Sequence, residues 1–245
     1  MEEAIPTVVV TGAARGIGRA VALQYAADGA RVVAADVEPP EGTAAAAAQL
    51  PGECLPVTAD VADAGQVGAL VAEAADAFSH PDMLVCNAGV GFPDPVADIT
   101  EERWDRVLAV NCKGAFLCIQ AVLPGMVDRG AGSIVVVSSI AGRRASVSNG
   151  AHYTCSKYGL VGLTRHLAVE LAGTGVRINC VCPGPTETPL LRDNTTDEQR
   201  DALARRTPLG RLGEPEDVAE VIRFVAGPRA RHMHGAVVDV NGGLY

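Results

Sequence analysis

Tyr153 and Lys157 stand four residues apart in the stretch "YTCSK". If this stretch is helical, the two side chains share one face, with Cβ atoms about 5 to 6 Å apart. A phenol ordinarily titrates at about 10, and a neighbouring ammonium favours its anion and lowers its pKa. Such a tyrosine could give a proton to a carbonyl oxygen or take one from an alcohol. Because ordinary surface pairs share this spacing, the interpretation needs further groups.

Two further polar residues suit the same chemistry. Ser139 ends the apolar stretch "SIVVVSS". Its hydroxyl is therefore predicted at the carboxyl end of a strand, where it could polarise a carbonyl oxygen. We choose Ser139 over Ser138, which is expected to point to the other face of the sheet. Asn111 lies within the apolar "LAVNCKGAF" and either holds a water that leads from Lys157 to solvent or is a core amide bonded to backbone.

A glycine-rich turn follows the first predicted strand. The stretch "TGAARGIG" places Gly12, Gly16 and Gly18 between a strand and a helix. Glycines here permit positive φ, let the backbone approach a pyrophosphate, and expose the first N–H groups of the helix. The spacing G-x-x-x-G-x-G departs from the G-x-G-x-x-G fingerprint, and a purely structural turn is the alternative. The position of the turn favours a dinucleotide site.

Acidic and amide residues end the next strands. Asp36 could accept hydrogen bonds from an adenosine ribose and repel a 2′-phosphate, whereas Arg15 could pair with that phosphate. We predict NAD over NADP because Asp36 would be desolvated beside a dianion. Asp60 lies either at the adenine edge or at the cap of the next helix. Asn87 and Gly89 end the fourth strand at the same edge of the sheet.

Strands and helices must alternate to position these residues. Apolar runs rich in β-branched residues predict strands, and alanine-rich stretches with helical spacing predict helices. Runs that are apolar on both faces predict a doubly wound parallel sheet, covered by helices on both sides and joined by right-handed crossovers. Thr100 and Asp63 are predicted N-caps. One α/β domain over 1–245 is expected, with strands at 7–11, 31–36, 54–60, 82–87, 133–139, 176–182 and 236–241, and helices at 16–28, 42–50, 63–78, 100–127, 152–172 and 214–226.

The stretch 184–213 is polar, rich in proline and without a clear pattern. Long unpatterned loops in compact domains are usually functional, so a mobile loop that covers the substrate is predicted here. The segments 90–95 and 143–150 and the residues from Leu190 onward are expected to line the substrate cleft. Arg143 and Arg144 are either contacts for an anionic substrate or solvated surface residues.

Composition argues against several other classes. The chain has 245 residues, 48% hydrophobic and 20% charged, a typical globular mixture. A net charge of -9 without a basic run argues against a nucleic-acid partner. The acidic start "MEEAIPTVVV" and the absence of an apolar run of about 20 residues predict a cytoplasmic protein without a membrane segment. The seven cysteines and five histidines have no metal-ligand spacing, so no metal site is expected.

The motifs "TGAARGIG", "CNAG", "SSIAG" with "YTCSK", "PGPTETP" and "VVDVNGG" resemble the short-chain dehydrogenase/reductase family over essentially the whole chain. The resemblance implies a Rossmann-like fold of about seven parallel strands and a catalytic tetrad of Asn111, Ser139, Tyr153 and Lys157. The cofactor-binding residues that it implies are Gly12, Arg15, Gly16, Ile17, Gly18, Asp36, Asp60, Val61, Asn87, Ala88, Gly89, Tyr153, Lys157, Pro183, Gly184, Thr186 and Thr188. Cys86 and Thr186 are departures, where the family more often has asparagine and an apolar residue.

An activity is also implied by the resemblance. It is hydride transfer between NAD(H) and a secondary alcohol or ketone, with Tyr153 as general acid and base. One alternative is an NADPH-dependent reductase of 3-oxoacyl thioesters from fatty-acid or polyketide synthesis. A less favoured one is a nicotinamide-bound sensor, because fold alone does not fix function. Family members are commonly homotetramers, here predicted on the helices 100–127 and 152–172 and on the carboxyl-terminal strand.

Overall fold

The computed structural model describes residues 5–245, and its centre is one parallel sheet of seven strands. The strand order is β3-β2-β1-β4-β5-β6-β7, so the order reverses between β1 and β4. Ligands of open α/β sheets bind at the carboxyl ends of the strands beside such a reversal. The strands are β1 Thr7–Thr11, β2 Arg31–Asp36, β3 Glu53–Thr58, β4 Met83–Cys86, β5 Gly132–Val137, β6 Val176–Pro183 and β7 Val237–Val240.

Helices cover both faces of the sheet, as the sequence predicts. Alternate residues of the strands point to opposite sides, and each side has its own buried apolar cluster. One cluster includes Leu70, Ile119 and Leu160 from three helices, and the other includes Val21 and Ile222. The helices are α1 Gly16–Ala27, α2 Glu41–Ala47, α3 Ala64–Ala77, α4 Glu101–Leu108, α5 Gly114–Arg129, α6 Ala151–Glu170, α7 Pro189–Asp193, α8 Asp197–Arg206 and α9 Pro215–Ala226.

The predicted helix 100–127 is divided in the structure. Thr100 caps α4, and a π-helical turn at Ala109–Lys113 joins α4 to α5. Such single π turns inside helices are frequent at functional sites. The turn contains Asn111 and holds its side chain inside the protein, where the residue is 1% exposed.

The stretch 184–213 contains regular structure that its sequence pattern did not indicate. It contains α7 and α8, and Leu191, Leu203 and Leu212 form a small apolar cluster beneath them. Thr188 caps α7, while Thr196 and Gln199 form a reciprocal capping box at the start of α8. The polar composition therefore reflects short helices that bury only a few leucines.

One 18-residue window of the helical stretch Glu101–Arg129 is apolar enough to cross a membrane by length and composition alone, with a mean hydropathy of 1.6. This window includes Lys113, so it is not an uninterrupted apolar run of the kind that the sequence analysis excluded. Half of the apolar window is buried, and core helices pass the same test. Ile119, Val122 and Met126 of α5 pack into the core cluster, so we assign the stretch to the fold.

Candidate active site

The glycine turn brings the backbone of β1 and α1 close to the end of β4. Gly12 and Gly16 adopt positive φ of 68° and 58°, a region that favours glycine. A Cβ atom on Gly18 would overlap the Gly12 carbonyl oxygen, and one on Gly12 would lie 2.8 Å from Ala88 Cα. No side chain caps α1 at Arg15, and its first turn contains no acidic residue. The helix start is therefore open to an anion.

A cavity of about 390 Å³ lies over this turn at the carboxyl ends of the strands. Residues at or just after the ends of β1, β2, β3 and β4 border it, together with the start of α7. The predicted cofactor-binding residues that line it are Gly12, Arg15, Gly16, Ile17, Asp36, Asp60, Val61, Asn87, Ala88, Gly89 and Thr188. Gly18 lies beneath the turn and serves close packing, because a side chain there would also meet Asn87 Nδ2.

Asp36 is fixed at the mouth of this cavity. Its Oδ2 accepts the Ala14 N–H at 2.9 Å, and its Oδ1 accepts the Glu38 N–H at 3.2 Å. Arg15, which could favour a 2′-phosphate, pairs instead with Glu38 at 3.7 Å, and both side chains are more than half exposed. An exposed ion pair of this kind contributes little to stability. Asp36 is therefore the carboxylate that is held in a fixed position beside the cavity.

Asp60 lines the cavity but does not cap the following helix. Asp63 caps α3 by accepting the N–H groups of Gly65 and Gln66 at 2.8 and 3.0 Å. Asp60 accepts the Ala62 N–H at 2.9 Å and pairs with Arg106 at 3.3 Å. The capping alternative for Asp60 is therefore wrong, while the predicted cap at Asp63 is confirmed.

Asn87 joins the ends of β1 and β4. Its Nδ2 donates to the carbonyl oxygens of Thr11 and Gly12 at 3.0 and 3.1 Å. Its backbone N–H and that of Ala88 donate to the Thr11 hydroxyl at 3.1 and 3.2 Å. The side chain thus holds the glycine turn in position beneath the cavity.

A second cavity of about 120 Å³ adjoins the first and shares Ile17, Asn87, Gly89, Thr188 and Leu190 with it. It contains the proposed catalytic groups of β5 and α6 and the end of β6. The predicted site residues that line it include Ser139, Tyr153, Lys157, Pro183, Gly184 and Thr186. The two cavities are therefore one cleft, with the predicted catalytic side chains at one end.

Tyr153 and Lys157 are neighbours on α6, as their spacing predicts. Lys157 Nζ lies 5.5 Å from the centre of the Tyr153 ring and donates to the Val137 carbonyl at 3.0 Å. Burial raises the pKa of Tyr153 to about 12, and hydrogen bonding with Ser139 opposes that rise. The expectation that Lys157 makes the phenol more acidic is therefore wrong for the groups that this chain supplies. Burial is the main cause of the raised pKa, and the phenol holds its proton at neutral pH.

Ser139 and Ser138 have the different orientations that the strand predicts. Ser139 Oγ accepts the Ala141 N–H at 3.0 Å and faces Tyr153. Ser138 is buried, and its hydroxyl donates to the Lys157 carbonyl at 2.8 Å. Since a backbone N–H already occupies a lone pair of Ser139, its own hydroxyl proton is available to a substrate oxygen.

Asn111 bonds backbone, which agrees with the second of its two interpretations. Its Oδ1 accepts the Val90 N–H at 2.8 Å, and its Nδ2 donates to the Val90 carbonyl at 2.9 Å and to Ser156 Oγ at 3.0 Å. Asn111 and Lys157 flank the same glycine, since a Cβ built on Gly89 would lie 3.4 Å from Asn111 Oδ1 and 3.6 Å from Lys157 Nζ. A water between Asn111 and Lys157 remains a proposal.

His152 is a residue of the site that the sequence analysis missed. It is fully buried, its Nδ1 accepts the Tyr153 N–H at 2.8 Å, and its Nε2 lies 3.7 Å from Asp94 Oδ2. Arg103 in turn holds Asp94 through two hydrogen bonds of 2.8 Å. The only sequence signal was a polar residue directly before Tyr153 at the start of a helix, where unpaired N–H groups need acceptors.

We expect His152→Leu to lower kcat by about tenfold, because the buried Tyr153 N–H would lose its acceptor and the start of α6 would shift. The KM for the cofactor should change less than twofold, since His152 lies outside the cofactor cavity. His152→Asn should recover part of the loss because its amide oxygen can accept the same bond. Steady-state kinetics of the three proteins test this, and equal kcat values for His152→Leu and the wild type would contradict it.

The buried ammonium of Lys157 destabilises the folded protein. Burial lowers its pKa to about 8 from the ordinary 10.5. Below pH 8 both the folded and unfolded chains hold the proton, so the full cost of burying the ammonium, about 3 kcal/mol, is present. Between these two pKa values the unfolded chain binds the extra proton, and the free energy of unfolding rises with pH.

Lys157→Met is therefore expected to abolish turnover while raising the melting temperature at pH 7 by a few degrees, after allowing about 1 kcal/mol for the lost hydrogen bond to Val137. The difference should shrink as the pH approaches 10.5. Thermal unfolding of the cofactor-free proteins across this range is the measurement. Lys113→Met, at an exposed lysine, is the control. A lower melting temperature for Lys157→Met at pH 7 would contradict the argument.

Arg143 and Arg144 hold the carboxyl-terminal residues. Arg143 pairs with Asp239 at 3.3 Å and lies over the Tyr245 ring at 5.5 Å. Arg144 donates to the Leu244 carbonyl at 3.3 Å. Neither of the two interpretations from the sequence describes them, because both side chains are partly buried and already have protein partners.

The sheet, the glycine turn and the adjoining cleft are those of a dinucleotide-binding oxidoreductase. A family model described as enoyl-(acyl carrier protein) reductase matches residues 12–245. The chain is similar to 3-oxoacyl-[acyl-carrier-protein] reductase of Thermotoga maritima, with 39% identity over 96% of each chain. It is also similar to cis-4-hydroxycyclohexanecarboxylate dehydrogenase of Sinomonas cyclohexanicum, with 41% identity over 96% of this chain and 94% of that one.

A solved structure agrees with these relatives. The 3-oxoacyl-[acyl-carrier protein] reductase of Brucella melitensis with bound NAD superposes with a TM-score of 0.91 and 34% identity, covering 98% of this chain and 91% of that one. The chain belongs to the short-chain dehydrogenase/reductase family. It is an oxidoreductase of a family that binds a nicotinamide cofactor, and the predicted single-domain Rossmann-like fold is confirmed.

Proposed function

We propose that this protein is an NAD-dependent dehydrogenase that interconverts a secondary alcohol and a ketone. The observation that carries the proposal is one cleft that has Asp36 and the glycine turn at one end and Ser139, Tyr153 and Lys157 at the other. Ser139 and Tyr153 can donate hydrogen bonds to one oxygen atom of a substrate, and they lie beside the site proposed for the dinucleotide. Bound there, the nicotinamide would supply or accept the hydride.

The fit to a dinucleotide rests on the chain's own geometry. Gly12 and Gly18 pack so closely that a side chain on either would meet backbone atoms. Because glycine has no side chain, a ligand can approach the main chain of the turn. The uncapped start of α1 favours a pyrophosphate. Asp36 favours a free ribose diol over a 2′-phosphate, and this supports NAD.

Ser139, Tyr153 and Lys157 have different roles in the proposed proton transfer. The Ser139 hydroxyl donates to the substrate oxygen and holds it beside the Tyr153 phenol. Because burial raises the pKa of Tyr153 to about 12, the phenol is protonated at neutral pH and can donate as a ketone is reduced. In the oxidation, the phenolate of Tyr153 accepts the alcohol proton, and this form becomes more abundant as the pH rises. Lys157, with a pKa of about 8, can exchange a proton near neutral pH, and a water held at Asn111 would pass that proton towards solvent.

A reductase of 3-oxoacyl thioesters is the second candidate, because the Thermotoga maritima relative has this function in its name. That reaction would use the same tetrad. Asp36 weighs against the NADPH that the sequence analysis associated with it. The cofactor and the acyl substrate therefore distinguish the two proposals.

A panel of secondary alcohols, ketones and a 3-oxoacyl thioester, assayed with NAD(H) and NADP(H) by nicotinamide absorbance, tests the proposal. We expect turnover of alcohols with NAD and a slower reaction with NADP. Turnover of the thioester alone, with NADPH, would favour the second candidate. No turnover of any compound with either cofactor would contradict both.

We also propose a cytoplasmic homotetramer built on α4, α5 and α6. The support is apolar surface on these helices, namely Phe116 of α5 at 44% exposure and Tyr158 and Val169 of α6 at 47% and 79%. Light scattering of the purified protein measures the assembly, and a monomer at micromolar concentration would contradict it.

A further inference from the structure

A third cavity, of about 360 Å³, lies beside the catalytic one and shares the segment 146–149 with it. Asn194 stands at the junction, where its Nδ2 donates to the Gly91 carbonyl at 3.0 Å and to Asn149 Oδ1 at 2.9 Å. One face of α8 forms the outer wall. The residues of this face are Gln199, Ala202, Leu203 and Arg206, with the spacing of neighbours on a helix.

Arg206 is the one charged residue that lines this cavity. Among residues 5–245 it has no ion pair and no side-chain hydrogen bond, whereas Arg200 donates to the Thr195 carbonyl at 2.8 Å and Arg211 pairs with Asp217 at 2.6 Å. The rest of the lining is neutral and mixes hydroxyl and amide groups, such as those of Ser146, Ser148 and Gln199, with apolar side chains such as Val147 and Leu203.

Charge makes this arrangement selective. The chain has a net charge of -9, and the cofactor cavity is lined by the carboxylates of Asp36, Glu38, Asp60 and Asp193. The arginines that line the cofactor cavity, Arg15 and Arg106, pair with Glu38 and Asp60, whereas the Arg206 guanidinium at the α8 end is available to an anion. A guanidinium without a protein partner presents a planar set of donors that fits a carboxylate with two parallel hydrogen bonds.

We propose that Arg206 binds a carboxylate on the substrate, so that the substrate class is a compact hydroxy acid and the corresponding oxo acid. This rests on the proposed function, because the alcohol carbon must reach Tyr153 while the acid group lies against α8. It assigns to Arg206 the anion contact that the sequence analysis considered for Arg143 and Arg144, which bind the carboxyl-terminal residues instead.

A neighbouring arginine provides a matched control. Arg205 and Arg206 are both exposed on the same turn of α8, and Arg205 also has no ion pair or side-chain hydrogen bond within residues 5–245, but it does not line the cavity. A carboxylate inside the cavity would depend on Arg206 alone. An acidic protein lying across the outside of α8 would depend on both arginines.

The kinetic test compares an acid with its neutral ester, using cis-4-hydroxycyclohexanecarboxylate and its methyl ester with NAD. For Arg206→Gln we expect kcat/KM for the acid to fall by about 10- to 100-fold and that for the ester to change less than threefold. Arg206→Lys should lose less, and Arg205→Gln should match the wild type on both. Equal losses for acid and ester, or equal losses in the two Gln variants, would overturn the proposal.

A binding measurement separates this proposal from the proposed function. Calorimetry with cyclohexanecarboxylate and cyclohexanecarboxamide, on NADH-saturated wild type and Arg206→Gln, needs no turnover. We expect the carboxylate to bind the wild type at least tenfold more tightly than the amide and the variant to lose this preference. If the wild type oxidises no alcohol yet shows this preference, the proposed function fails and the anion site stands. If the wild type shows no preference for the carboxylate, the anion site is wrong.

Discussion

Replacing Tyr153 with phenylalanine is expected to lower kcat by about 10²- to 10⁴-fold, the usual contribution of a positioned general acid or base. Tyr153 is 8% exposed and its hydroxyl faces Ser139, so the variant removes one oxygen and keeps the packing of the ring. Affinity for NADH should change less than threefold, because the phenol ring occupies the same place beside the cleft. Steady-state kinetics and fluorescence titration with NADH measure the two quantities.

The same helix offers a control for Tyr153→Phe. Tyr158 lies five residues further along α6 and is 47% exposed, so Tyr158→Phe makes the same chemical change away from the cleft. It should retain the wild-type kcat. If Tyr153→Phe keeps more than a tenth of the wild-type kcat, the phenol is not the proton donor. A signalling activity that survives in Tyr153→Phe would instead support the nicotinamide-bound sensor.

The sheet and the glycine turn could be predicted from the sequence because their signals are local. Apolar runs such as "TVVVT" and "SIVVVSS" are buried on both faces, so composition alone marks them as central strands. Gly12 and Gly18 stand between a strand and a helix, where the close packing leaves little choice of residue. The residue types at these positions are determined by backbone geometry that depends on only a few neighbouring residues.

The two helices of the stretch 184–213 were not predicted because they are short and bury only a few leucines. α8 has ten residues, of which only Leu203 is buried, so no apolar periodicity indicates it. The capping box of Thr196 and Gln199 was a readable signal, since a threonine followed three residues later by glutamine marks a helix start. Arg206 could not be separated from Arg205 without that helix, because only the helical face decides which of them lines the cavity.

The pKa values of Tyr153 and Lys157 also could not be predicted from the sequence. Spacing places Tyr153 and Lys157 on one face, but it does not say how deeply they are buried or where the ammonium points. Lys157 donates to Val137, a residue of a strand 20 positions away, and burial dominates the pKa of both groups. The contact of His152 in α6 with Asp94 likewise joins residues 58 positions apart, and no local sequence pattern indicates it.

Asp36→Asn is expected to change the cofactor preference, because it removes the charge that would face a 2′-phosphate and keeps an acceptor for the Ala14 N–H. Two unit charges 4 Å apart interact by about 4 kcal/mol at an effective dielectric constant of 20, and partial solvation reduces this. The ratio of kcat/KM for NAD to that for NADP should therefore fall by about 10- to 1000-fold. Kinetics with both cofactors on one alcohol measure this ratio.

Asp28→Asn is the matched control, since Asp28 pairs with Arg223 away from the cleft and its loss changes the net charge by the same amount. Its cofactor ratio should equal that of the wild type. A ratio in Asp36→Asn within threefold of the wild type would mean that the carboxylate does not face the ribose. A wild type that prefers NADP by more than tenfold would contradict the choice of NAD, and Arg15, freed from Glu38, would then be the residue to examine as the phosphate ligand.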